Sequence, residues 1–306
     1  MRVLITGSAG FVGRATCFAL FKAGHNVASM LDRAYIDADL QHLSAAVRVD
    51  IRERRAADIL AEVRPEAIIH LAAQTSLQAS WESPLGDMSE NVGGTVAMLE
   101  AARTYGCRRF VFASTSAVYS PFSLGRYTED DLLEPQVPYG VGKLACEHYV
   151  RVLAPEAVIL RYGNVYGPGQ KPKGENLLFA RAIQHLAGHL PGFVINGDGS
   201  KVRDFVYVED VARANVLALT APPDTYNVGG NATSVRSALN ILRLAWAEAG
   251  RTFPSPALYD GIWPEGPEKP GELDQVVLDG ANARRHLGYV PQVTLAEGLR
   301  KMVAAL

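Results

Sequence analysis

The sequence predicts an α/β fold, a doubly wound parallel sheet with a smaller, loop-rich C-terminal domain. Three observations predict it. Short apolar runs alternate with amphipathic helical patterns through the first half of the chain. The first run, Val3 to Ile5, turns through Gly7, Gly10 and Gly13 into a helical stretch from Phe11 to Ala23. After Gly163 the alternation loosens and glycine, proline and lysine gather, as in Gly167-Pro168-Gly169-Gln170-Lys171-Pro172-Lys173-Gly174.

Each element follows in order. Val27 to Leu31 reads as the second strand and ends at Asp32; Val47 to Val49 is the third and ends at Asp50. Ala67 to Leu71 is the fourth, followed by Ala72-Ala73. A helix is expected over Asn91 to Tyr105, a fifth strand over Arg109 to Ala113, a helix over Tyr139 to Leu153 and a sixth strand over Ala157 to Leu160. Later, Asp204 to Val208 and Thr225 to Val228 read as strands around a helix from Asp210 to Leu219, so the chain is expected to return to the sheet. The expected division is residues 1–164 and about 204–230 for the Rossmann-type domain, and about 165–203 and 231–306 for the substrate domain. Sheets of this kind bind ligands at the carboxyl ends of their strands. The polar residues singled out in the first half lie at such ends or beside them.

Composition narrows the function classes. The 306 residues are 48% hydrophobic and 20% charged, with a net charge of -2. That balance offers no basic footprint for nucleic acid or an anionic membrane surface. No stretch reaches the roughly 18 apolar residues that span a bilayer. The three cysteines, Cys17, Cys107 and Cys146, have neither disulfide nor metal spacing, which suits a reducing cytoplasm. Met1-Arg2 runs straight into the first strand, so no signal peptide is expected.

The glycine turn is a phosphate cradle in its proper context. Glycine permits the tight turn and a close approach of the ligand, while free N–H groups and the helix dipole attract negative charge. Asp32 lies at the end of the second strand, where a carboxylate accepts from the adenosine ribose hydroxyls and repels a 2′-phosphate; the expected cofactor is therefore NAD. Arg33 beside it offers the alternative of stacking on adenine or meeting a phosphate. Asp50-Ile51 is placed to touch the adenine, or Asp50 to cap a helix.

Tyr139 and Lys143 stand at i and i+4 on one helical face. An ammonium beside a phenol favours the phenolate, so the tyrosine pKa is expected to fall, making Tyr139 a base for a substrate hydroxyl. Ser114-Thr115-Ser116 at the end of the fifth strand offers a hydroxyl to hold the reacting oxygen.

Together Gly7-x-x-Gly10-x-x-Gly13, Asp32, Asp50-Ile51, His70-Leu71-Ala72-Ala73, Asn91-x-x-Gly94-Thr95, Ser114-Thr115 and Tyr139-x-x-x-Lys143 resemble an extended short-chain dehydrogenase/reductase. More narrowly, the chain resembles the NAD-dependent nucleotide-sugar epimerase/dehydratase family typified by UDP-glucose 4-epimerase. The likeness runs on through Leu160-Arg161-Tyr162-Gly163-Asn164-Val165-Tyr166-Gly167-Pro168, Gly197-Asp198-Gly199, Arg203-Asp204-Phe205-Val206-Tyr207-Val208 and Leu287-Gly288-Tyr289. The resemblance implies a catalytic trio of Thr115, Tyr139 and Lys143. It implies an NAD site of Gly7, Gly10, Phe11, Val12, Gly13, Asp32, Asp50, Ile51, Leu71, Ala72, Ala73 and Asn91 together with Tyr139 and Lys143. Substrate would meet Thr115, Ser116, Asn164, Asn176, Leu177 and Arg203, with Arg203 on the phosphates. Lys269 stands where the family often has an arginine; lysine neutralises a phosphate but cannot fork onto it. Val276 falls at a position that gates the sugar C2 substituent, and Gly163 replaces a common phenylalanine; both enlarge the expected pocket. Helices from Asn91 and Tyr139 would pair into a homodimer as they do in the family.

Departures narrow the expected reaction. Water-eliminating members carry Asp-Glu after the threonine, and decarboxylating relatives carry Glu at the second position. Here Ser116 and Ala117 follow Thr115. What remains needs only reversible oxidation and one acid–base group. The expected activity is therefore 4-epimerisation of a UDP-hexose, namely UDP-glucose/galactose, UDP-GlcNAc or UDP-glucuronate. The alternatives are a nucleotide-sugar dehydrogenase or ketoreductase, an atypical dehydratase, or a non-catalytic NAD-binding protein. Cys107, Trp246 and Trp263 read as packing, His70 as packing near the cofactor, and Glu129-Asp130-Asp131 as a solvated loop. His185 and His189 lack a third ligand, so no metal is expected.

Overall fold

The computed structural model describes residues 1–31, 43–121, 126–171, 177–190, 192–268 and 273–306. Its strands are β1 (Arg2–Thr6), β2 (Asn26–Leu31), β3 (Ala45–Arg48), β4 (Ala67–His70), β5 (Arg109–Thr115), β6 (Val158–Tyr162), β7 (Asn164–Tyr166), β8 (Ile195–Asn196), β9 (Val202–Tyr207), β10 (Thr225–Val228), β11 (Asn231–Ser234), β12 (Glu265–Gly266) and β13 (Gln275–Val276). Its α-helices are α1 (Phe11–Lys22), α2 (Arg54–Val63), α3 (Leu77–Glu82), α4 (Pro84–Met88), α5 (Gly94–Thr104), α6 (Pro138–Leu153), α7 (Leu178–Leu186), α8 (Val208–Leu217), α9 (Val235–Glu248), α10 (Pro256–Tyr259) and α11 (Leu295–Ala304).

The main sheet has seven strands in the order β10-β6-β5-β4-β1-β2-β3, every pair parallel. Val3, Leu4, Ile5, Ile68, Ile69 and Val111 are fully buried, because helices cover both faces and the strands read as unbroken apolar runs. On one face Cys17 and Leu20 of α1 and Val211 and Ala214 of α8 pack against Val3, Ile5 and Ile69. On the other, Ile59, Met98, Leu99, Cys146 and Val150 from α2, α5 and α6 pack against Leu4, Ile68 and Phe112. Strand order runs one way through β1-β2-β3 and the other through β4-β5-β6-β10, so the switch point falls between β1 and β4. The crevice there is where such sheets bind ligands.

The helix expected from Asn91 begins earlier, at Pro84, and passes through a wide turn over Ser89–Gly93 before α5. A larger difference concerns Asp204 to Val208. This strand does not rejoin the main sheet. It is β9, the centre of a second sheet in which β7 and β13 pair parallel and β11 antiparallel to it. Only α8 and β10 carry the chain back, β10 pairing with β6. Gly163 explains the departure: a Cβ there would stand 2.7 Å from the Asp204 carbonyl, so a glycine lets β7 leave the main sheet and lie close against β9. β8 and β12 form a short parallel ladder beside it. Phe179, Ile183, Phe205, Leu239, Trp246, Trp263 and Leu299 make the core of this second region, both tryptophans being buried.

Asp204 ties the two regions. Its carboxylate is buried and accepts from the Gly230 N–H at 2.7 Å and the Leu278 N–H at 3.0 Å. Asp204→Ala removes the acceptor of two backbone donors. At about 1–3 kcal/mol for each orphaned group, less the relief of a desolvated carboxylate, the expected loss is about 2–4 kcal/mol, read by urea unfolding.

Candidate active site

A cleft of about 1270 Å³ opens over the switch point. Ordinary small-molecule sites hold roughly 300–1,000 Å³, so this one has room for two ligands side by side.

Its floor is built by two loops in contact. Gly7 has φ +70, and a Cβ on it would lie 2.7 Å from the Ala72 nitrogen; a Cβ on Gly13 would overlap the Gly7 carbonyl. Gly10 begins α1, and no side chain caps it. The Gly10 N–H bonds the Gly7 carbonyl at 3.0 Å, and the first helical bond runs from the Arg14 N–H to the Gly10 carbonyl at 3.0 Å. The N–H groups of Phe11, Val12 and Gly13 therefore precede the helical ladder, on the cleft wall. This cradle fits a dinucleotide pyrophosphate.

The opposing loop, Leu71 to Gln74, is held from behind. Thr6 Oγ1 accepts from the Ala72 N–H at 3.1 Å. Asn91 Oδ1 accepts from the Gln74 N–H at 2.8 Å, and its Nδ2 donates to the Gln74 carbonyl at 3.0 Å and to Asp87 Oδ1 at 3.0 Å. Asn91 was expected at the cofactor itself. It is instead buried behind the wall and shapes the loop that forms it. His70 completes the support. The Thr95 hydroxyl donates to the Asn91 carbonyl at 2.7 Å, which leaves it to accept from His70 Nε2 at 3.2 Å, while Nδ1 meets the Thr6 hydroxyl at 2.9 Å. That pattern assigns a neutral ring with its proton on Nε2. Burial pushes the His70 pKa down to about 3, helped by the charge of Lys143.

Asp50 and Ile51 line the outer end of the cleft. Asp50 does not cap α2, whose N-cap is Glu53; its carboxylate binds Arg52 at 2.5 Å. Arg52 also lines the cleft and escaped the sequence reading, although it stands two residues after Asp50. Asp32, Asn176 and Lys269 lie outside the described residues.

Thr115, Tyr139 and Lys143 meet on the wall above the sheet. Thr115 ends β5; its Oγ1 accepts from the Ala117 N–H at 3.2 Å and lies close enough to the Tyr139 hydroxyl to favour its ionised form. Lys143 is 4% exposed, its ammonium 4.2 Å from the centre of the Phe112 ring. The tyrosine pKa was expected to fall. It rises, first through burial and then through the charge of Asp87. Burial also lowers the Lys143 pKa, against the pull of Cys146, Glu147 and Asp87. Asp87 was not singled out from the sequence; its signal was a carboxylate four residues before Asn91, on one helical face.

The far wall comes from the second region. Asn164, Leu177, Arg203 and Val276 all line the cleft, as do Tyr119, Tyr162 and Gly163. Arg203 and Val276 are neighbours in the β9–β13 register. Arg203 is 9% exposed and donates to the Val202 carbonyl at 2.8 Å. Gly163 was expected to enlarge the pocket. The close approach of the Asp204 carbonyl already demands a glycine there, whatever the ligand. Nor is Glu129 solvated: it accepts from the Asn227 N–H at 2.7 Å.

The family model described as the NAD dependent epimerase/dehydratase family matches residues 3–229. The chain belongs to this family. A UDP-glucose 4-epimerase of Mycolicibacterium smegmatis is 36% identical over 99% of this chain and 97% of its own. A dTDP-glucose 4,6-dehydratase of Neisseria gonorrhoeae is 31% identical over 98% of this chain and 94% of its own. The crystal structure of Thermus thermophilus UDP-glucose 4-epimerase with NAD superposes with a TM-score of 0.87 at 36% identity, covering 100% of this chain and 98% of that one. The chain is thus an NAD-dependent member of the epimerase/dehydratase family. Among the described residues no helix is long and apolar enough to cross a membrane, and no group of His, Cys, Asp or Glu is arranged to hold a metal.

Two outcomes test the floor of the cleft. Gly13→Ala is expected to abolish retention of NAD by the purified protein, measured as cofactor released on denaturation. The second concerns pH. A ring kept neutral in the fold but ionising at its ordinary 6.5 when unfolded draws the equilibrium toward unfolding as pH falls. Stability should drop by about 1.4 kcal/mol per unit between pH 6 and pH 4, and His70→Gln should remove that part of the slope in urea titrations.

Proposed function

We propose that the chain is an NAD-dependent 4-epimerase of a UDP-hexose, working through a 4-keto sugar. The observation that carries this reading is that Thr115, Tyr139 and Lys143 line one cleft, and the wall residues that follow Thr115 are Ser116 and Ala117 rather than acids. Elimination of water needs a further proton carrier at that point; epimerisation does not.

Tyr139 takes the proton of the C4 hydroxyl and later returns it, while Thr115 and Ser116 hold the reacting oxygen. Lys143 offsets the negative charge that Tyr139 acquires. Bound NAD supplies the reversible redox chemistry at C4. Arg203 grips the diphosphate through its fork of N–H groups, with Asn164 and Leu177 beside it. The 4-keto sugar turns about its diphosphate tether, so that reduction takes place on the opposite face. Val276 leaves more room at the C2 substituent than a tyrosine would, which admits UDP-GlcNAc beside UDP-glucose and UDP-glucuronate. The same reading carries a homodimer, for which Leu85, Met88, Val141, Tyr149 and Val152 are exposed on α4 and α6.

Incubated without added cofactor, the protein is expected to invert C4 of at least one of these three UDP-sugars, as resolved by NMR, with no net oxidation. Tyr139→Phe should lower kcat at least about 100-fold, the scale of a lost acid–base group. A dehydrated 4-keto-6-deoxy product, or a fully active Tyr139→Phe, overturns the proposal.

A further inference from the structure

Behind the cleft lies a buried ion pair that the proposed chemistry does not use. Glu147 on α6 is 0% exposed and Arg161 on β6 is 1%. They are joined twice, Arg161 Nε to Glu147 Oε1 at 3.0 Å and Nη2 to Oε2 at 2.8 Å. Oε1 also accepts from Ser114 Oγ at 2.5 Å, and Oε2 from Arg151 Nη2 at 2.9 Å. Arg161 Nη1 donates to the Tyr119 hydroxyl at 3.0 Å and to the Glu129 carbonyl at 3.1 Å. The Tyr119 hydroxyl donates in turn to Asn227 Oδ1 at 2.7 Å.

The main arms end on segments that carry cleft residues. Ser114 precedes Thr115 and stands opposite Arg161 in the β5–β6 register. Tyr119 lines the cleft. Glu147 shares one face of α6 with Lys143 and Tyr139, at successive steps of four residues. A buried ion pair is weak evidence for stability, since apolar residues of similar volume often serve as well. What a bidentate pair adds is direction: it fixes a helix against a strand in both distance and rotation.

We propose that Glu147 and Arg161 are a positioning pair, setting the reach between Thr115 on β5 and Tyr139 and Lys143 on α6. The pair lines no part of the cleft, and the inference rests on the reading of those three residues as the reacting groups. A misplacement of about 1 Å costs on the order of 100-fold in rate, so small slips of α6 along β5 matter. The pair also acts on charge. Lys143 is faced by Asp87 from α4, His70 from β4, and Cys146 and Glu147 from its own helix. Of these, Glu147 is one that favours the ammonium, so removing its charge lets Lys143 lose its proton at lower pH.

The test uses the whole chain with its retained NAD. The double variant Glu147→Leu with Arg161→Met leaves no buried unpaired ion, since Arg151 is part-exposed and keeps its bond to the Thr225 hydroxyl. It is expected to melt near the wild type, keep its NAD and its KM, and lose kcat by about 10- to 100-fold. A folded double variant with kcat within about twofold of wild type overturns the proposal, leaving the pair a packing feature. Should the double variant fail to fold, Glu147→Gln decides. It keeps the volume and the reach to Ser114, and is expected to lower kcat and move its alkaline limb to lower pH; an unmoved limb at unchanged kcat overturns the proposal. Tyr139→Phe runs alongside. If it is active, the reading of the reacting groups has failed and this inference with it; if it is inactive while the double variant is not, only the inference has failed.

Discussion

Two backbones touch at the switch point of the sheet, and the site is built around that contact. The Gly7 Cα faces the Ala72 nitrogen with no room for a side chain. β1 and β4 are neighbours whose following helices diverge, and the loops leaving them close the floor of a crevice. Holding two loops that near each other leaves polar groups with no access to water, and each unsatisfied one would cost about 1–3 kcal/mol. The buried set of Thr6, His70, Thr95, Asn91 and Asp87 meets that demand. It leaves the N–H groups at the start of α1 without a side-chain partner, so they remain available to an anion.

The other wall follows the same logic one layer out. Gly163 lets β7 lie against β9, and Asp204 binds the backbone at Gly230 and Leu278. Arg203 and Val276, side by side in the second sheet, are thereby held over the carboxyl end of the first. The buried Asp204 carboxylate with its two backbone donors fixes the strand that carries Arg203.

What was legible in the sequence was whatever depends on local order. Val3 to Gly13 contains its strand, its turn and its helix start, and the spacing of Tyr139 and Lys143 follows from the pitch of one helix. What could not be read depends on partners far along the chain. Val202–Tyr207 has the pattern of a strand in either sheet, and only pairing with β7, β11 and β13 decides which. Asn91 and Glu129 looked like a cofactor contact and a solvated acid because their partners, Gln74 and Asn227, are distant or out of pattern. The direction of the Tyr139 shift is hidden from the sequence for a related reason. Spacing shows which charge is near, whereas the cost of losing water depends on everything else packed around the group.

That cost bears on the roles proposed for Tyr139 and Lys143. Burial holds Tyr139 toward its neutral form and Lys143 away from its charged one. Each charge on its own is therefore disfavoured. Thr115 lowers the cost of the phenolate, while Asp87 raises it and supports the ammonium instead. The balance is set by fixed groups on β5, α4 and α6. On the epimerase reading proposed above, a proton leaves a sugar hydroxyl for Tyr139 only when that hydroxyl sits within reach of Thr115, which would make the geometry between β5 and α6 as consequential as the acidity of either side chain.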